Sequence, residues 1–131
     1  MDSTATKVII DRATIRAKEL GVPACIAVFD GGAHLLSFLR MDGAILGAID
    51  VAQRKARTAV LFPLATGEFG QLVADQHLMG MELSNGGLAL FHGGLPSTEK
   101  GALTGAIGVS GGTADQDLEI ARYALADMAP A

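Results

Sequence analysis

The segment from Gly101 to Asp117 constrains the fold more than any other part of the chain, because a glycine-punctuated apolar strand runs directly into a capped helix. Thr113 opens the helix, and Gln116 completes a capping box. The helix is expected to bury Leu118, Ala121, Leu125 and Met128 along one stripe. Asp115 projects to solvent and suits the positive helix terminus, whereas Asp117 projects between Ala121 and Ala124 on the apolar side. A strand ending at a helix start is also the layout of a nucleotide loop. The residues argue against one: neither Gly-x-x-x-x-Gly-Lys nor Gly-x-Gly-x-x-Gly is present. Asp115 and Asp117 would also repel a phosphate by roughly 1 to 4 kcal/mol at about 4 Å.

Upstream, residues 4–20 read as a helix with Ser3 or Thr4 as N-cap, Gly21 as its stop and Pro23 beyond. Ile9, Ala13, Ala17 and Leu20 form its stripe, while Val8 and Ile15 point elsewhere, as a second contact surface or as isolated exposed aliphatics. Residues 24–30 and 33–41 read as a hairpin about Asp30-Gly31-Gly32. The first strand is apolar throughout and so covered on both faces; alternation in the second puts His34, Leu36, Phe38 and Arg40 on one side. Residues 43–61 form a helix with Ile45, Ile49, Ala52, Ala56 and Val60 on its stripe and Asp50, Gln53, Arg54 and Arg57 opposite. Phe62-Pro63 ends it, residues 66–77 are weakly helical with Thr66 as a possible N-cap, and residues 78–87 lack a pattern. Residues 88–92 read as a strand, followed by a turn and a second hairpin strand over 102–109.

This order describes one α+β domain over residues 1–131, with helices on a central antiparallel sheet of about five strands. No alternating strand–helix–strand crossover supports a parallel sheet. Half the residues are apolar, Trp is absent and the formal charge is -4, so no electrostatic footprint for nucleic acid or an anionic membrane exists. The N-terminal segment, with Lys7, Asp11, Arg12 and Arg16, reads as neither signal peptide nor membrane span. A lone Cys25 in an apolar run fits a reducing compartment, and a cytoplasmic location is expected. Mean hydropathy of +0.37 is high for so small a domain, and self-association is the simplest outlet.

Several residues stand against the pattern. Lys55 falls on a shoulder with Ala48, Val51 and Ala59, so its ammonium must snorkel outward, meet a carboxylate or line a cleft. A solvated lysine at the helix edge is the ordinary outcome. If Lys55 instead faces a cleft with Arg40 or Asp42, these residues could bind a small carboxylate, or the lysine could act as a base or form a Schiff base. Asp117 is a second inward charge, whose expected partner is Lys55 or Arg40, within or across subunits. His92 precedes Gly93-Gly94, where missing side chains permit either close approach of a ligand or a simple turn. His77 reads as a surface residue, and the three histidines show no zinc-like spacing.

The segments 27–36 (AVFDGGAHLL), Arg40–Gly43 (RMDG), Ala52–Ala59 (AQRKARTA), Gly93–Pro96 (GGLP) and Gly105–Asp117 together resemble the GlcG/HbpS family, which includes the C-terminal domain of PduO-type proteins. The resemblance runs over nearly the whole chain. It implies a profilin-like or PAS-like three-layer domain assembled into a homo-oligomer, often an octamer, and haem binding in some members. His34 matches a family histidine position and is the expected haem-iron ligand, with Phe38 supplying an apolar surface beside it and His92, Gly93 and Gly94 edging the pocket. A histidine satisfied by a backbone hydrogen bond after the turn is the plain alternative. The resulting expectation is an oligomeric small-ligand-binding protein, with haem or a related cofactor as ligand. The alternative is a small catabolic enzyme or accessory protein acting on an organic acid or aldehyde through Lys55, Arg40 and Asp42.

Overall fold

In a computed structural model, which describes residues 1–126, the chain forms three layers. Helix α1 (Ser3–Leu20) leads into strands β1 (Cys25–Asp30) and β2 (Leu35–Arg40), then α2 (Gly47–Leu61) and α3 (Thr66–Asp75). A single 3-10 turn (Met81–Leu83), strands β3 (Gly94–Glu99) and β4 (Ala102–Ser110), and helix α4 (Ala114–Leu125) complete it. The sheet is antiparallel with order β2-β1-β4-β3. The four strands correct the expected five.

Alternation in the central strands builds two cores at once. Ile26, Val28, Ile107 and Val109 face α1 and α4, meeting Ile9, Ala13, Ala17, Ile120, Ala121 and Ala124. Cys25, Ala27, Phe29 and Ala106 face α2 and meet Ala48, Ala52, Ala56, Ala59 and Val60. β1 is therefore covered on both sides, as its unbroken apolar run implies. Alanines on α2 let the helix lie almost on the backbone of β4: a Cβ on Gly108 would stand 2.0 Å from the Ala52 carbonyl oxygen.

Local chemistry accounts for most differences from the sequence reading. Asp2, not Ser3 or Thr4, caps α1, its carboxylate accepting the Ala5 N–H at 2.8 Å. Helix α2 begins at Gly47 rather than residue 43, because Met41–Ala44 closes a turn first; Ile45, expected on the buried stripe, is left 67 % exposed, and its neighbour Leu46 is 71 % exposed. In β2 a bulge at Leu36 breaks the alternation: Leu35 pairs with Phe29 and Ser37 with Val28, so His34, Leu36, Phe38 and Arg40 do not form one regular face.

The apolar run 88–92 is not a strand. Its Ala89 N–H is taken by the Thr58 hydroxyl, and Leu88 and Leu90 pack with Phe69 and Val73 in a satellite core beneath α3. The strand lies instead at Gly94–Glu99, an edge where Pro96 loses no essential ladder bond. Thr66 is the first residue of α3 rather than its cap; its hydroxyl donates to the Phe91 carbonyl at 2.5 Å and accepts the Gly94 N–H at 2.9 Å. The α4 capping box forms as expected, but the buried stripe turns toward Asp117, Ile120, Ala121 and Ala124, leaving Leu118 and Leu125 half-buried. Met128 lies outside the described residues.

Because its Cβ has no space before the α2 backbone, Gly108→Ala is expected to cost about 3 kcal/mol or more in chemical denaturation. Gly47→Ala, where nothing lies within 4 Å, should change stability by no more than about 1 kcal/mol, in the stabilising direction.

Candidate functional site

Two charges that the sequence pattern turned inward meet. The Lys55 ammonium lies 3.0 Å from Asp117 Oδ2, with the two side chains 1 % and 4 % exposed. Lys55 Nζ also donates to the Val109 carbonyl at 2.7 Å and lies 5.0 Å from the centre of the Phe91 ring. Asp117 Oδ1 accepts the Gly112 N–H at 2.9 Å, so both carboxylate oxygens are occupied. The pair joins α2 of one layer to α4 of the other, past the ends of β3 and β4. Burial pushes the Lys55 pKa down, and attraction to Asp117 only partly restores it.

The glycines beside His92 serve this packing. A Cβ on Gly93 would stand 2.6 Å from Lys55 Nζ, and one on Gly94 would stand 2.5 Å from the Lys55 carbonyl oxygen. His92 lies against Gly67 of α3, whose absent Cβ would sit 1.9 Å from the imidazole Nδ1. That nitrogen is buried and has no hydrogen-bond partner. His77 is exposed, with a positive φ of 56°.

His34 stands at the opposite end of the sheet surface, on the β1–β2 turn. Asp30 Oδ1 accepts the backbone N–H groups of Gly32 and His34, each at 2.9 Å, and lies 3.3 Å from His34 Nδ1. Those hydrogen bonds, that from His34 foremost, hold the Asp30 carboxyl below its usual range. The His34 side chain is 79 % exposed, and a Cβ on Gly32 would press on its ring at 3.0 Å. Nδ1 thus faces the carboxylate while Nε2 is left to face outward. Phe38, expected beside His34, is opposite Ala27 and packs against the α2-side core.

Arg40 and Asp42 line one depression with Thr14, Lys18 and Met41, and Lys55 is not among its residues. The three catalytic candidates are therefore not brought together. The Asp-Gly-Gly-Ala-His spacing carried the signal for the pairing of Asp30 with His34. Sequence reasoning missed Lys18 beside Arg40, which no local pattern reveals. Cys25 is buried, and burial raises its thiol pKa. Among the described residues, no group of three or more His, Cys, Asp or Glu side chains could hold a metal ion, and no helix is long and apolar enough to cross a membrane.

This three-layer α+β domain has the fold of several solved relatives. The family model described as haem degrading protein HbpS-like matches residues 1–126, and the chain belongs to that family. An uncharacterized 15.0 kDa protein of Citrobacter freundii, from the dhaT-dhaS intergenic region, is 37% identical over 123 residues, covering 92% of this chain and 87% of its own. The crystal structure of Klebsiella pneumoniae protein ORFY superposes with a TM-score of 0.92 at 33% identity, covering 96% of this chain and 88% of that one. A crystal structure of a PduOC:heme complex superposes at 0.84 with 30% identity, covering 96% and 93%.

Removing one member of the buried pair leaves the other uncompensated, so Lys55→Met is expected to cost about 3 to 5 kcal/mol in urea denaturation. The double variant Lys55→Met/Asp117→Leu should lose less than the two single changes added together. At alkaline pH, between the lowered Lys55 pKa and the ordinary lysine value, the unfolded chain retains a proton that the native state has lost. Unfolding free energy from Lys55 therefore rises with pH across that window, a rise the Lys55→Met variant should lack.

Proposed function

We propose that the protein is an oligomeric haem-binding protein in which His34 Nε2 ligates the iron. The observation that carries this reading is the Asp30–His34 turn: a carboxylate orients Nδ1, and the ring stands clear of the core. A carboxylate at Nδ1 raises the basicity of the other nitrogen and fixes the tautomer that can ligate. Half-exposed Leu35 and Leu36 follow directly and offer apolar surface to a flat ring. The PduOC:heme complex, a relative of the same fold, supports the choice of ligand. Bound haem would supply a redox-active iron; the protein residues would orient the ligand and exclude water from it.

An imidazole this exposed leaves a bound ring open on one side, and a second copy of the chain covers it in our reading. Exposed Ile45, Leu46, Met79 and Leu83 supply apolar surface for assembly, and an octamer is the expected size. The lone, buried Cys25 supports a cytoplasmic location. An organic-acid or aldehyde enzyme using Lys55 with Arg40 and Asp42 has less support, because Lys55 is absent from the depression that the other two line.

Titration with hemin should give a saturable Soret band that His34→Ala abolishes or shifts, and Asp30→Asn should weaken binding about tenfold or more. An unchanged spectrum in His34→Ala would remove His34 as ligand. Light scattering after size exclusion should report an octamer or another even assembly; a monomer across the working concentration range rejects the assembly.

A further inference from the structure

A depression of about 530 Å3 opens where α1 ends beside the last residues of β2. Val22, Pro23, Leu39 and Met41 contribute apolar atoms, and Lys18, Arg40 and Asp42 contribute charge. Its framework is fixed by backbone bonds: Val22 N–H donates to the Ala17 carbonyl and Met41 N–H to the Ala24 carbonyl, both at 2.9 Å. Thr14 also lines it, but its hydroxyl already donates to the Ile10 carbonyl at 2.8 Å. The charged side-chain donors at the depression are therefore Lys18 and Arg40.

Neither cation is committed elsewhere among the described residues. Arg40 makes one long contact, 3.4 Å to the Ala44 carbonyl, and neither it nor Lys18 pairs with a carboxylate. Other arginines are engaged: Arg16 pairs with Glu119, Arg54 with Asp50, and Arg57 donates to the Asn85 carbonyl. Two uncommitted cations beside an apolar wall match a ligand with one anionic end and an aliphatic body. Asp42 on the same depression disfavours a second negative charge on that ligand.

We propose that this depression is a binding site for small aliphatic monocarboxylates, with the carboxylate held by Arg40 and Lys18 and the chain laid against Val22, Pro23, Leu39 and Met41. The site is separate from His34, which precedes β2 while Arg40 ends it, roughly 20 Å of extended chain away. It does not depend on haem binding.

Saturation-transfer NMR on the full-length protein with hexanoate tests it. Hexanoate should give saturable transfer with a Kd of about 1 mM, and hexylammonium should give none. Arg40→Gln should weaken hexanoate binding by about tenfold or more, Lys18→Gln should weaken it less, and Asp42→Asn should newly admit succinate. His34→Ala should leave hexanoate binding unchanged, which separates this site from the haem site. Arg40 is exposed, so far-UV circular dichroism should confirm an intact fold in its variant. Absence of saturable transfer from hexanoate overturns the proposal, as does equal binding by Arg40→Gln or by hexylammonium.

Discussion

A lysine and an aspartate buried to 1 % and 4 % of side-chain exposure lose most of their hydration, and the arrangement around them follows from that cost. Each charge must find its partner and further hydrogen bonds. Lys55 finds Asp117 and the Val109 carbonyl; Asp117 finds Lys55 and the Gly112 N–H. The pair ties α2 of one layer to α4 of the other at one sheet end. Phe91 lies over the ammonium and Gly93 leaves it room. The same enclosure keeps Lys55 from acting as an accessible amine.

Close approach of backbones is the second organising constraint. Gly108 against Ala52 and Gly94 against the Lys55 carbonyl bring α2 within contact of β4 and β3 without intervening side chains. Small residues on α2 therefore do the work that large aliphatics do on α1 and α4, where Ile9 and Ile120 fill the space. The residues proposed to bind ligands lie at the two ends of the β2 edge strand. The Asp30–His34 turn stands at one end and the Lys18–Arg40 depression at the other.

Elements whose signals are local were legible in the sequence. The Thr113–Gln116 capping box, the Gly21 stop and the hairpin about Asp30-Gly31-Gly32 each depend on residues a few positions apart. The run at 88–92 misled for a physical reason: an apolar segment satisfies a strand or a satellite core equally well, and Phe69 and Thr58, remote in sequence, decided between them. The bulge at Leu36 was likewise invisible, since a single extra residue leaves the strand's composition unchanged even as it shifts which side chains share a face.

By itself the sequence determined the layer type, the inward projection of Asp117 and the place of Lys55 on the shoulder of its helix, because periodicity assigns each side chain to a face. Only the tertiary structure decided that these two charges meet each other, that Arg40 keeps company with Lys18 instead, and that Phe38, partly buried, packs against the α2-side core. Faces are set by bond geometry within one element; partners are set by how elements cross. That crossing depends on glycine and alanine positions distributed over α2, β3 and β4, which no local window contains.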